Sequence, residues 1–258
     1  MKLQNNILEE LLKKLKLERL LKNTQLFKLR KIKRKMFNHL KGYESVQLPT
    51  ENIDGKRYYT TPEGRHYPSV TSVTGLMNRK WIEKWRKSVG EEKANKIAGQ
   101  AAARGTRYHQ LQEDFLNNED ITEKLAKATP LDLMMFNQTR SITEKLGDIY
   151  MLEGALYSDE LQMAGRVDCI AEFAGKVSVI DFKTSTRAKQ PSKIKNYFIQ
   201  ETAYAKMFEE RYQVPIERIV TIVSVEETGQ SQLFVEEPSR WVDQLLDLRS
   251  QYKTEYGL

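Results

Sequence analysis

The pattern of apolar and polar positions divides the chain into a helical first half and a strand-rich second half. Apolar residues at helical spacing predict helices, and short runs of β-branched and apolar residues bounded by turn residues predict strands. The predicted elements, in chain order, are a hairpin over 57–60 and 66–73, helices over 80–98, 105–116 and 131–146, strands over 151–157, 162–173 and 176–184, a helix over 191–212, a hairpin over 218–225 and 232–236, and a helix over 238–252. This order predicts an α/β fold in which helices flank a central sheet.

The first 42 residues have a different character and are predicted to form a basic helical arm, followed by one domain over 43–258. Leucines recur at helical spacing over 3–21, and a cluster of lysines and arginines follows over 28–35. The arm carries 13 Lys and Arg against 3 Asp and Glu, whereas the rest of the chain carries 29 against 32. The excess of positive charge therefore lies in the arm, which suits a polyanion such as DNA. A solubilising tail is the alternative.

Composition limits the compartment. The chain of 258 residues has one cysteine, Cys169, so an internal disulfide is impossible and a reducing, intracellular setting is expected. No apolar stretch approaches the roughly 18–20 residues of a membrane span. The N-terminus does not resemble a secretory signal, and Glu9, Glu10 and Glu18 count against a mitochondrial transit peptide. The cytoplasm is the expected location, with mitochondria as the alternative.

Candidate chemistry lies on two neighbouring predicted strands. A two-residue turn at Ala174-Gly175 places Asp168 opposite Asp181, with Cβ atoms ~5 Å apart on one face, and Lys183 joins them two residues later. The strands are apolar on both faces, as buried strands are. Two carboxylates this close repel each other near a core, and a hard divalent cation such as Mg²⁺ or Mn²⁺ removes that cost. For an isolated Asp-x-Lys, a surface salt bridge would be the commoner explanation.

Four motifs together favour a metal site over a surface salt bridge. In this order and spacing they resemble the RecB-type branch of the PD-(D/E)XK nuclease superfamily, above all the mitochondrial genome maintenance exonucleases and their viral and bacterial relatives. The motifs are Gly105-Thr106-Arg107-Tyr108-His109, Gly165-Arg166-Val167-Asp168, Asp181-Phe182-Lys183, and Gln200 with Tyr204. The resemblance covers about residues 57–250 and leaves the arm unexplained. The sequence departs from the nominal pattern in having Val-Asp for Pro-Asp, and it lacks the cysteines of an iron–sulfur cluster.

The resemblance implies a restriction-endonuclease-like core and a role for each matching residue. His109, Asp168, Asp181 and the carbonyl of Phe182 are implied to bind Mg²⁺ or Mn²⁺. Lys183 is implied to be the catalytic lysine, oriented by Gln200 and Tyr204, and Glu153 matches a supporting acidic position. The implied reaction is hydrolysis of a phosphodiester bond.

Three functions follow as hypotheses. The first is an exonuclease for single-stranded DNA or flaps in replication, repair or recombination, and the compact chain with its extra arm suggests a virus-encoded enzyme. The second is a structure- or site-specific endonuclease on the same core, and the third is a catalytically silent DNA-binding scaffold. The arm could also bind a replication or recombination protein. Residues expected to contact phosphates are Lys31, Lys33, Arg34, Lys80, Arg86, Arg104 and Arg107, and those expected to stack on bases are Trp81, Trp85 and Tyr108.

Overall fold

The computed structural model describes residues 36–257 and contains two sheets. The smaller sheet is antiparallel, with strands in the order β1-β2-β3, and the larger one is mixed, in the order β4-β5-β6-β7-β8. The strands are β1 (Thr50–Ile53), β2 (Lys56–Thr60), β3 (His66–Pro68), β4 (Ile149–Ser158), β5 (Met163–Phe173), β6 (Lys176–Ser185), β7 (Arg218–Val225) and β8 (Gln230–Glu236).

Seven α-helices surround these sheets within residues 36–257. They are α1 (Val70–Thr74), α2 (Leu76–Val89), α3 (Glu91–Leu116), α4 (Thr122–Lys127), α5 (Pro130–Thr143), α6 (Lys195–Tyr212) and α7 (Val242–Tyr256), with short 3₁₀ turns at Pro191–Lys193 and Pro238–Arg240. Local chemistry sets their ends: the Thr129 hydroxyl accepts a hydrogen bond from the Asp132 amide, directly before Pro130 at the first position of α5. None of the helices within 36–257 has the length and apolar character to cross a bilayer.

The larger sheet has the topology that the sequence pattern predicts. Strands β4, β5 and β6 are antiparallel neighbours, α6 crosses over to place β7 parallel to β6, and β8 returns beside β7. The β5–β6 turn has positive φ at both Ala174 (50°) and Gly175 (75°), which matches the twist of a tight hairpin. It fixes the register from Phe173 opposite Lys176 to Cys169 opposite Ile180, the register predicted from the two-residue turn.

The ladder between β5 and β6 ends where the predicted site begins. Its last pair is Cys169 with Ile180, although β5 extends back to Met163 and β6 extends forward to Ser185. Beyond that pair, β5 remains hydrogen-bonded to β4 and β6 remains hydrogen-bonded to β7. The sheet therefore forks at the next residues, Asp168 and Asp181.

The larger sheet is the middle of three layers. On one face, Ile170, Val179 and Ile219 pack in a cluster with residues of α1, α6 and α7. On the other face, Ile180 and Val220 pack in a second cluster with residues of α3 and α5. The prediction of an α/β fold with a mixed central sheet flanked by helices is confirmed.

Three local predictions differ from the structure. The segment Val70–Thr74 is helical rather than the end of a hairpin strand, because the Ser69 hydroxyl accepts from the Ser72 amide and starts a helix. The helix predicted over 80–98 is two helices separated at Gly90, whose φ is +86°. The helix predicted over 105–116 begins already at Glu91, so Thr106 lies inside α3, where its hydroxyl donates to the carbonyl of Ala102. Strand β1 and helix α4 were not predicted.

Residues 36–42 of the predicted arm pack against the domain. Phe37 is buried and packs edge-on against Phe115. The Leu40 amide donates to the Ile149 carbonyl, and the Ile149 amide donates to the Asn38 carbonyl, so this segment pairs in parallel with the start of β4. The leucine stripe and the basic cluster of the arm, including Lys31, Lys33 and Arg34, lie outside the described residues.

Candidate active site

The fork between β5 and β6 brings Asp168 beside a backbone amide of β6 that lies two residues beyond the ladder. The Phe182 amide donates to Asp168 Oδ2 at 2.9 Å, so a carboxylate takes the place of a strand carbonyl. Asp168 Oδ2 also lies 3.5 Å from His109 Nδ1 on α3. His109 and Asp168, which are 59 positions apart in the sequence, therefore lie next to each other, as the resemblance implies.

The direction of His109 follows from its neighbour on α3. Tyr108 is fully buried and its hydroxyl donates to Thr139 Oγ1 at 3.0 Å, which fixes one face of the helix against α5. Successive helical residues point about 100° apart, so His109 is turned towards the sheet edge. The expectation that Tyr108 stacks on bases is wrong, because no part of its ring is accessible.

Glu153 joins this group through an irregularity in β4. Its backbone has a φ of +47°, a conformation that non-glycine residues rarely adopt and that often marks functional sites. One ligand atom each from His109, Glu153 and Asp168 all lie within 4.8 Å of one another. Burial, and then the negative charge of Asp168, raise the pKa of Glu153 to about 7.

The second pair of charges belongs to Asp181 and Lys183 on β6. The Lys183 ammonium contacts Asp181 Oδ2 as an ion pair, and the Asp181 side chain is almost inaccessible. Burial alone would lower the pKa of Lys183, but Asp181 and Asp168 outweigh it and the pKa is raised. Lys183 is therefore a persistent cation, suited to orienting a nucleophile or stabilising negative charge.

One face of α6 covers this ion pair. Gln200 Nε2 donates to Asp181 Oδ1 at 3.0 Å, and Lys183 Nζ lies 5.4 Å from the centre of the Tyr197 ring, a cation–π distance. Glu201 is fully buried beside them and accepts from the Thr221 hydroxyl. Tyr197 and Glu201 were not among the predicted site residues. Tyr197 lies three residues before Gln200 and four before Glu201, and these are the spacings of neighbours on a helix surface.

Tyr204 explains the glycine of the Gly-x-x-Asp motif. A Cβ atom on Gly165 would lie 2.7 Å from Tyr204 Cε1 and 2.9 Å from its hydroxyl oxygen. Only glycine leaves room for this ring, so the two motifs are a pair in contact. Burial, followed by the charges of Asp168 and Asp181, raises the pKa of Tyr204 well above its ordinary value, which keeps its hydroxyl protonated.

The basic residues expected to contact phosphates are engaged to different degrees. Arg104 is held by Thr184, Thr186 and Glu226, and its side chain is only 12% exposed. Arg107 bonds to the buried Asp132 at 2.8 Å, and Arg86 pairs with Glu91. Lys80 lies exposed on α2. Arg104 thus ties α3 to the ends of β6 and β7, which is a structural task.

The two tryptophans of α2 form a stacked pair. Their rings are parallel within 3° with centroids 6.2 Å apart, and Trp81 is 65% exposed. Helix α2 contains no buried residue, and Met77 and Ile82 are also exposed on it. Apart from Leu76, which packs against the core at its start, helix α2 therefore presents mainly exposed aromatic and basic groups.

The donor set fits a hard divalent cation. His109, Glu153 and Asp168 offer one imidazole nitrogen and two carboxylate oxygens, the ligand types that Mg²⁺ and Mn²⁺ accept. The raised pKa of Glu153 shows that its charge lacks full compensation from the protein. Asp181 lies outside this group, because its oxygens face Lys183 and Gln200.

Comparisons with known proteins agree with this geometry. The sequence profile of the PD-(D/E)XK nuclease superfamily matches residues 68–251. Mitochondrial genome maintenance exonuclease 1 of Homo sapiens is 29% identical over 143 residues, covering 52% of this chain and 39% of that protein. The same-named proteins of Xenopus tropicalis and Mus musculus are 28% identical over 165 residues (58% and 47% covered) and 25% identical over 135 residues (47% and 38% covered). The chain thus matches less than half the length of these relatives. Since the profile spans most of the chain, including all four motifs, the protein belongs to the PD-(D/E)XK nuclease superfamily.

Proposed function

We propose that this nuclease is a metal-dependent DNA exonuclease that hydrolyses phosphodiester bonds of single-stranded DNA or flaps. The observation that carries the proposal is the convergence of His109, Glu153 and Asp168 within 4.8 Å, next to the Asp181–Lys183 ion pair. A structural salt bridge would not need a third acidic residue held in a strained backbone conformation beside it. DNA replication, repair or recombination is the proposed setting.

Each residue has a proposed role. His109, Glu153 and Asp168 hold the cation, with Asp181 and the Phe182 carbonyl as the further ligands implied by the family. When bound, Mg²⁺ or Mn²⁺ would polarise the scissile phosphate and acidify the attacking water. Lys183, kept charged by Asp181, orients the nucleophile and stabilises the phosphoryl oxygens. Gln200 holds Asp181 in place, and Tyr204 closes the site against Gly165.

The preference for single strands and ends has two supports. The exposed Trp81–Trp85 stack on α2 can stack on unpaired bases, whose faces are accessible only outside a duplex. Lys80 on the same helix can contact the backbone phosphates. The relatives that match this chain are named exonucleases, and that activity is proposed here by analogy with them.

Digestion of end-labelled linear, circular and flapped DNA tests the proposal. With Mg²⁺ or Mn²⁺ we expect loss of linear single strands and flaps, no cleavage of single-stranded circles, and no activity in EDTA. Efficient cutting of the circle would instead favour an endonuclease. Binding without any cleavage under all metal conditions would favour a silent scaffold.

A matched pair of variants tests the site assignment. Lys183→Met should remove activity, whereas Lys176→Met on the same strand should retain it. Lys176 is also ion-paired, to Glu217 at 2.8 Å, so both variants lose a paired lysine of β6. Full metal-dependent activity in Lys183→Met would refute the assigned role.

A further inference from the structure

A groove of about 410 Å³ lies beside the metal-ligand group, and both His109 and Glu153 line it. Gly105 and Thr106 of α3 line one side, and Glu153 and Arg166 line the other, with His109 at its base. Space around Gly105 is open, since a Cβ there would have no neighbour within 4 Å. The groove is therefore open beside this residue.

Arg166 stands out among the groove residues by its geometry. Its Nε donates to the Glu153 carbonyl at 3.0 Å and lies 2.8 Å from Glu153 Oε2. Among the described residues, its two terminal amino groups have no hydrogen-bond partner, and the side chain is 56% exposed. Because Nε holds the guanidinium in place and the two terminal amino groups remain available, Arg166 can form a bidentate contact with an anion.

The charges around the groove make this contact necessary. Glu113 and Glu153 line it as acids, and Arg166 is the one permanent cation on its walls among the residues described. A DNA strand entering the groove carries a negative charge on each phosphate and would be repelled by both glutamates. Among the described residues that line the groove, Arg166 is the permanent cation that can offset that repulsion.

We infer that Arg166 binds a DNA phosphate next to the scissile one and so positions the strand over the metal-ligand group. This role rests on the proposed function, because it requires DNA as the substrate. Arg166 lies two residues before Asp168 on β5, so their side chains leave the strand on the same side, about 7 Å apart. That spacing is close to the separation of successive phosphates along an extended strand, which places one phosphate at each residue.

The competing explanation is that Arg166 only fixes Glu153. The two roles differ in what they affect. A residue that fixes Glu153 alters metal affinity and leaves DNA affinity in EDTA unchanged. A phosphate-binding residue alters DNA affinity even without metal.

The experiment measures both quantities in one set of variants. Fluorescence anisotropy with a labelled single-stranded oligonucleotide in EDTA gives the DNA Kd, and calorimetric titration with Mn²⁺ gives the metal Kd. For Arg166→Met we expect a DNA Kd in EDTA about tenfold weaker and a salt slope reduced by about 1, in addition to any change in Mn²⁺ affinity caused by loss of the Glu153 contact. Arg166→Lys keeps the charge, so the salt slope should return while part of the affinity loss persists. In turnover assays the change should appear in KM more than in kcat.

Arg240→Met is the matched control. Arg240 is 66% exposed and pairs with Glu236 at 2.8 Å, so it loses an equivalent ion pair away from the groove. A DNA Kd for Arg166→Met within twofold of wild type, or equal losses in Arg240→Met, would overturn the inference while wild-type digestion upholds the nuclease proposal. A wild-type protein that neither binds nor digests DNA would refute the proposed function itself.

Discussion

Glu153 should make the stability of the metal-free protein fall as pH rises. Its carboxyl has a pKa of about 7 in the folded chain against 4.5 ordinarily, mainly because of burial and secondly because of Asp168. A proton is therefore held more tightly in the folded state, and unfolding releases it between these pH values. The stability associated with the neutral acid is fully present below pH 4.5 and is lost as pH rises through 7.

The size of the effect follows from the shift. Each unit of pKa difference corresponds to about 1.4 kcal/mol, so the free energy of unfolding should drop by about 3 kcal/mol between pH 4.5 and 7.5. The Glu153 side chain is 17% exposed, and solvent screening removes little of this. Replacing it by Gln removes the titration, since an amide stays neutral. Glu153→Gln should therefore be the more stable protein at pH 7.5 in EDTA.

Urea unfolding at several pH values, in EDTA, measures this difference. The quantity compared is the free energy of unfolding of wild type minus that of Glu153→Gln, which cancels the other titrating groups to first order. Saturating Mn²⁺ should remove the pH-dependent loss in wild type only, because a bound cation favours the ionised carboxylate. Parallel wild-type and Glu153→Gln curves across pH 4.5–7.5 would refute the reasoning.

Glu255→Gln is a control for the direction in which stability changes with pH. Arg79 lowers the pKa of Glu255 below its ordinary 4.5. The stability that this ion pair contributes is thus present above pH 4.5 and lost only below it. Glu255→Gln should leave the slope between pH 4.5 and 7.5 as in wild type.

Three further outcomes are expected. Lys183→Met should destabilise the protein by about 3 kcal/mol, because it leaves the buried Asp181 charge without its partner. In a double-mutant cycle measured by urea unfolding, adding Asp181→Asn should restore part of that loss. Additive effects of the two substitutions would show that the two charges are not coupled. Gly165→Ala should lower the free energy of unfolding by about 1–3 kcal/mol, because the added methyl group would overlap with Tyr204. The loss should be smaller in a Tyr204→Ala background, and an equal loss in both backgrounds would rule out this contact as the cause. Trp81→Ala should weaken binding of single-stranded DNA by about 1–3 kcal/mol without loss of thermal stability. Ile82→Ala on the same helix should leave the DNA affinity unchanged. An unchanged affinity in Trp81→Ala would show that α2 is not part of the proposed DNA-binding surface.

The elements predicted best from the sequence are those set by local rules. The hairpin register was predictable because Ala174-Gly175 is a two-residue turn with positive φ, and an error of one residue would have turned every side chain to the other face. The pattern of apolar strands likewise predicted the burial of Asp181, whereas Asp168 is only half-buried and the expected pairing of Asp168 with Asp181 lies beyond the end of the ladder. The meeting of His109 with Asp168 came from the family resemblance, since residues so far apart in sequence have no local signal.

The features missed depend on tertiary contacts or unusual backbone. Glu153 was given a supporting role because alternation along β4 does not reveal a residue with a φ of +47° that turns its carboxylate into the metal-ligand group. Arg104 has the charge of a phosphate-binding residue, but it is ion-paired with Glu226, which follows β7 and is distant in the sequence. Gly90 ends α2 within a continuous helical pattern, where a glycine alone does not distinguish a break from a tolerated residue.

The fork in the larger sheet gives the site a mechanical property. Asp168 belongs to the half of the sheet bonded to β4, and Asp181 to the half bonded to β7. The two halves are joined by the ladder that ends at Cys169 and Ile180, so a small spreading of the strands beyond this point breaks no backbone pair. Across the fork, the hydrogen bond from the Phe182 amide to Asp168 Oδ2 joins the two halves in place of a backbone pair. The spacing of the two strands at the site therefore depends on a side chain of the site itself.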